Sequence, residues 1–155
     1  MSARARLALS LCLAACAPAP PGPQPLPRGD LDTFRASVQP VLDARCADPS
    51  CHGRAERPLS LFSPGRRRRD PDVTFTRTPL DDDELAANAR VLAAFALEPL
   101  LSGEPVDACL VLRKPLAVSR GGASHEGGEL FGGTDDRDYQ TLRDWLAALD
   151  LPEVP

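Results

Sequence analysis

Methionine, histidine, lysine and the aromatic residues are all scarce in this chain. Its 155 residues include one Met, two His, one Trp and one Tyr beside five Phe, and Lys114 is the only lysine. The Met is the initiator, so no methionine sulfur is offered as a metal ligand in the body of the chain. Seven aromatic side chains make a thin core for about 120 residues, and a core this thin gains from any large apolar group bound within it. No apolar run approaches the ~20 residues that span a bilayer, which argues against a transmembrane anchor. Strand signals are weak and no internal repeat is visible. An excess of basic residues is missing too: the formal charge is −4, which argues against a nucleic-acid partner.

What the chain does contain begins with an export-type leader. Arg4 and Arg6 precede the apolar stretch Leu7 to Leu13, and Leu13-Ala14-Ala15-Cys16 is similar to a bacterial lipobox. That resemblance implies cleavage before Cys16 and lipidation of Cys16; an ordinary secretory peptide is the alternative. Lipid on Cys16 would hold the protein at a membrane surface. Ala17 stands where an Asp would signal inner-membrane retention, which favours the outer membrane facing the periplasm. Residues 1–16 are thus read as signal peptide and lipobox. Residues 17–30, with Pro18, Pro20, Pro21, Pro23, Pro25 and Pro27, read as an extended tether. Residues 31–151 remain as one domain. Removing Arg4 and Arg6 from the 18 basic residues leaves 16 against 22 acidic ones, a formal charge of −6.

Cys46-Ala-Asp-Pro-Ser-Cys51-His52 is the most specific arrangement in the domain. Two thiols followed at once by an imidazole form the attachment site of a covalent c-type haem. The thiols add across the haem vinyl groups, and the His is delivered beneath the iron as an axial ligand. Four residues separate the cysteines here, against the usual two. His125 is the only other histidine. Six of the thirteen positions from Gly121 to Gly133 are glycine, which lets this loop approach a flat macrocycle closely. With no Met to compete, His125 is the expected second ligand; Lys114, an open position, or a His125 bonded only to backbone or water are the alternatives. Cys109 is left over, as a buried small hydrophobe or in a disulfide with Cys46 or Cys51 that would exclude the haem. A zinc cage of Cys46, Cys51, His52 and either Cys109 or His125 is the competing metal reading.

The expected fold class is all-α, about three helices carrying long irregular loops. Leu31, Phe34, Val38, Val41 and Leu42 recur at helical spacing and predict a first helix, capped by Asp30 or Asp32 and kinked or divided by Pro40. A second is predicted with Thr78 as cap and Pro79 at its first position. Asp81 to Glu84 suit its positive end, and Leu85, Ala89, Leu92 and Phe95 or Ala96 form its inner stripe. A third, capped by Thr134 or Asp135, carries Tyr139, Leu142, Trp145, Leu146 and Leu149 on one face. Between the first two, the run Arg66 to Arg69 reads either as a docking patch for an acidic partner or as a solvated loop.

Taken together, Val38-Gln39-Pro40-Val41-Leu42, Cys51-His52-Gly53, Leu112-Arg113-Lys114-Pro115-Leu116, His125-Glu126-Gly127-Gly128 and the Tyr139 to Leu146 helix resemble the small c-type cytochrome-like domains of exported bacterial proteins. The resemblance spans about residues 31 to 149. It implies a cytochrome c-like domain wrapped round one covalent haem c, with His52 as axial ligand and His125 as the second. The function it implies is that of a membrane-tethered monohaem electron carrier. Such a carrier is not an enzyme, and it exchanges electrons with redox partner proteins. A haem-free extracytoplasmic interaction module with a Cys46–Cys51 disulfide is the alternative.

Overall fold

The computed structural model describes residues 28–151; the leader, Cys16 and the tether up to Pro27 lie outside the described residues. The fold is small and all-α. Two isolated bridges, Arg28 with Asp150 and Leu116 with Phe131, are the strand-like pairings among the described residues.

The first helical element is one rod made of an α-helix over Leu31–Thr33, a π-helix over Phe34–Val38 and an α-helix over Gln39–Arg45. Asp30 caps it, its carboxylate accepting from the Asp32 and Thr33 N–H groups that a helix start leaves unpaired. Pro40 does not divide the rod. The Gln39 N–H reaches back five residues to the Phe34 carbonyl, so the turn is widened where a proline ring would otherwise collide with the preceding one.

The second helix, Asp82–Leu101, starts later than its sequence predicted. Asp81 is the cap in place of Thr78: its carboxylate accepts from the Glu84 N–H at 2.8 Å, and the Glu84 carboxylate accepts from the Asp81 N–H at 3.3 Å. This reciprocal pair satisfies two donors at once. A short helix over Leu110–Arg113 follows. The last helix, Arg137–Ala147, is capped by Asp136, not by Thr134 or Asp135.

The two ends of the domain pack together. Phe34 meets Trp145 edge-on with ring centres 5.0 Å apart, and Trp145 Nε1 donates to the Asp30 carbonyl at 3.2 Å. Arg28 and Asp150 exchange backbone hydrogen bonds of 3.0 and 2.8 Å. The chain is therefore tied down from Arg28, inside the stretch expected as tether. Phe34, Val38, Leu42, Leu85, Leu92, Tyr139 and Leu142 are buried in one core, as the inner faces read from the sequence require.

The arginine run is neither a free patch nor a solvated loop. The Arg68 side chain is 5% exposed and pairs with that of Glu84, 1% exposed, at 2.9 Å. Arg68 also donates to the Thr78 and Pro79 carbonyls, and the Arg69 N–H donates to Glu84 at 2.7 Å. Arg69 reaches Asp81 and Asp83, Arg66 reaches the Asp43 carbonyl, and Arg67 lies 4.0 Å above the Phe62 ring. Burial alone would raise the Glu84 carboxyl; the hydrogen bonds from Arg68 and from the Arg69 and Asp81 N–H groups outweigh it and hold its pKa below the usual value. The run fastens an irregular loop to the start of the second helix.

Candidate functional site

The first rod hands the chain directly to the cysteine loop. The Cys46 and Ala47 N–H groups both donate to the Leu42 carbonyl, at 2.9 and 2.8 Å, and Ala47 is fully buried. Asp48 then organises the four-residue spacer. Its carboxylate accepts from the Ser50 N–H at 2.9 Å and the Ser50 hydroxyl at 2.6 Å, while its carbonyl accepts from the Cys51 and Gly53 N–H groups at 2.8 and 2.9 Å. This side-chain-closed turn folds the spacer on itself, so that the His52 N–H still reaches the Cys46 carbonyl at 3.1 Å. Glycine is required at 53, because a Cβ there would collide with the Ala47 carbonyl oxygen.

His52 is fixed by its backbone and by its ring. Its carbonyl accepts from the Leu61 N–H at 2.7 Å, and its Nδ1–H donates to the Leu59 carbonyl at 2.8 Å. A carbonyl can only accept, so Nδ1 carries the proton and Nε2 keeps its lone pair. Burial lowers the His52 pKa; the bond to Leu59 opposes this, and nearby His125 and Arg57 add to the lowering. The ring is therefore neutral at pH 7, the form that ligates a metal.

His125 comes from the opposite side. Its loop is anchored where the Ala123 N–H donates to the Arg113 carbonyl and where the Leu130 and Phe131 N–H groups donate to the Pro115 carbonyl, at 2.8, 2.8 and 2.9 Å. Inside the loop, His125 Nδ1–H donates to the Gly128 carbonyl at 3.2 Å. Gly128 has φ +77°, a left-handed conformation that favours glycine. Gly127 lies against the imidazole, where a Cβ would stand 2.8 Å from Cε1. The His52 and His125 rings lie 5.9 Å apart, centre to centre, with planes within 10° of parallel.

Both imidazoles and both loop thiols line a single cavity of about 670 Å³, within the roughly 300–1,000 Å³ typical of cofactor sites. Its walls are apolar, with Leu42 from the rod, Leu92 and Phe95 from the second helix, Leu110 and Val111 from the short helix, and Leu142 from the last. Arg45, Arg57 and Lys114 bring positive charge to it. Cys46 and Cys51 are partly exposed free thiols. Burial, with the neighbouring Cys51, pushes the Cys46 thiol up to about 12, so it stays protonated at neutral pH.

The fold thus brings together Cys46, Cys51, His52 and His125, with Lys114 beside them, and sets Cys109 apart. Cys109 is fully buried, its Sγ 3.9 Å from the Ala96 carbonyl. Among the described residues, no group of three or more His, Cys, Asp or Glu side chains is placed to hold a metal ion. No helix among the described residues is long and apolar enough to cross a membrane.

The residues behind His52 escaped the sequence reading. Asn88 is fully buried; its Oδ1 accepts from the Phe62 N–H at 2.8 Å and its Nδ2 donates to the Phe62 carbonyl at 2.8 Å and to Gln39 Oε1 at 2.9 Å. It thereby holds the segment whose Leu59 and Leu61 grip His52. An amide set among Leu85, Ala89 and Leu92 on an inward stripe was the available signal. No family model matches the chain, and neither a curated protein nor a solved structure matches it.

Proposed function

We propose that the chain is a membrane-tethered monohaem c-type cytochrome, an electron carrier in which Cys46 and Cys51 would bind the haem and His52 and His125 would ligate its iron. The observation that carries this reading is one apolar cavity lined by two thiols and by two near-parallel imidazoles 5.9 Å apart. Two imidazoles on opposite sides of one metal ion need ring centres about 6 Å apart, given metal–nitrogen bonds of about 2 Å. The donor set, the spacing and the apolar walls all fit a haem.

A bound haem c supplies one-electron exchange between the ferric and ferrous states. The chain supplies the rest. His52 and His125 each keep Nδ1–H on a backbone carbonyl, an outer bond that fixes ring orientation and makes Nε2 a better ligand. With both histidines on the iron no position would be open to a substrate, which suits electron transfer and requires no catalytic residue. Met opposite His raises a haem potential, so a pair of histidines predicts a lower one. Leu42, Leu92 and Phe95 exclude water, and Arg45, Arg57 and Lys114 offset the haem carboxylates. Lipid on Cys16 and the proline-rich tether would hold the domain on the periplasmic face of the outer membrane, within reach of redox partner proteins. The acidic charge disfavours nucleic acid.

Pyridine haemochrome spectroscopy after acid-acetone extraction tests the reading, on protein from a host with c-type maturation machinery. One retained haem per chain is expected, lost when Cys46 and Cys51 are both changed to Ala. No retained haem, with Cys46 and Cys51 found joined by mass spectrometry, would replace the carrier by a haem-free interaction module.

A further inference from the structure

The two histidines of the site are held unequally. His52 is bonded through its ring to Leu59 and through its backbone to Cys46 and Leu61, and Leu61 is fully buried in the core. His125 is bonded through its ring only to Gly128, three residues along the same loop, and its carbonyl receives the Gly128 N–H. The loop's firm anchors are Ala123 on one side and Leu130 on the other. Between them, the side-chain tie to the His52 side is one ion pair, Glu126 with Arg57 at 3.1 Å, whose side chains are 83% and 39% exposed. A pair so exposed is weak and is screened by salt. The Glu129 carboxylate also accepts from the Val118 N–H at 2.8 Å, and residues 124 and 126–129 are exposed, so lifting His125 breaks few and solvated ties, the signature of a segment that opens locally at low cost.

From this inequality, and resting on the carrier reading above, we infer that His125 is a displaceable ligand and that its side of the cavity admits a small neutral diatomic molecule such as carbon monoxide. Leu110, Val111 and Leu130 line the cavity, and an apolar lining favours a neutral guest over a charged one. Leu110, one of these lining residues, is itself 45% exposed. The exchange moves no electrons. The bond from iron to His125 Nε2 would break, a bond from iron to carbon would form, and the freed imidazole would keep its Nδ1–H on the Gly128 carbonyl. His52 keeps its place throughout.

The test is stopped-flow carbon monoxide binding to the reduced, haem-loaded protein, as wild type, Glu126→Gln and His125→Ala. In wild type the rate should level off as the gas concentration rises, at the rate of His125 departure. Glu126→Gln, or high salt, should raise that plateau about two- to fivefold, the worth of one exposed ion pair. His125→Ala should abolish the plateau. In the haem-free protein, amides of residues 124–129 should exchange hydrogen faster than those of residues 51–61; equal protection would overturn the inference. So would a wild type that takes up no gas while His125→Ala does, because His125 is then a fixed ligand, and the carrier reading would stand. Identical kinetics in wild type and His125→Ala would show that His125 never binds the iron, which also removes the paired-histidine assignment. Absence of covalent haem, seen in the haemochrome before gas is added, sinks the carrier reading and the inference with it.

Discussion

Along one face of the helix Asp82–Leu101, the first two turns bury a charge and an amide, whereas the next two line an apolar cavity. Glu84 and Asn88 belong to the first half, Leu92 and Phe95 to the second, and the steps of four, four and three residues keep all four on one side. At the polar end every group has a partner: Arg68 and two backbone N–H groups on Glu84, the Phe62 backbone and Gln39 on Asn88. No buried side-chain nitrogen or oxygen among the described residues lacks one. The apolar end keeps a volume that the chain's own side chains do not fill. One end is a finished structural joint, and the other opens on the cavity that both imidazoles and both loop thiols line.

The largest effect should come from breaking the joint. Glu84→Ala would leave the Arg68 guanidinium buried and unpaired, and should cost about 3–5 kcal/mol in denaturant unfolding. Asn88→Ala should cost about 1–3 kcal/mol, because the Phe62 N–H loses its acceptor and Gln39 Oε1 its donor. It should also loosen the hold on His52, read as faster hydrogen exchange at Leu61 than in wild type. A smaller effect follows from pH. The Glu84 pKa is held below its ordinary 4.5 in the folded protein, so its contribution is complete above the unfolded value and is lost as pH falls through the folded one. Stability measured down that acid range should fall in wild type and fall less in Glu84→Gln. The smallest effect is expected at Asp82, whose pair with Arg35 is 84% exposed on the Asp side; Asp82→Asn should leave the unfolding midpoint unchanged, since such pairs contribute little.

The apolar half of this comparison was largely legible in the sequence. Leu42, Leu92 and Leu142 follow helical spacing, and Cys46, Cys51, His52 and His125 are rare residues in a chain short of alternatives. The glycines around His125 announce a loop that can come close. The polar half was not legible, for a physical reason. Four consecutive arginines flanked by Pro-Gly and Asp-Pro look like solvated surface, and nothing local shows that Arg68 has a buried partner sixteen residues away. Helix starts were misplaced for the same reason: Asp81 beats Thr78, and Asp136 beats Thr134 and Asp135, through side-chain geometry that composition does not rank. Pro40 predicts a kink or a division because proline in a helix usually causes one; the π-helical turn that accommodates it leaves no clear mark in the residues.

The proposed carrier requires His52 and His125 to meet one iron. Electron paramagnetic resonance of the ferric, haem-loaded protein tests this most directly. A low-spin signal in wild type that becomes high-spin in His125→Ala is the predicted result. A wild-type signal that is already high-spin, or one that His125→Ala leaves unchanged, would contradict it.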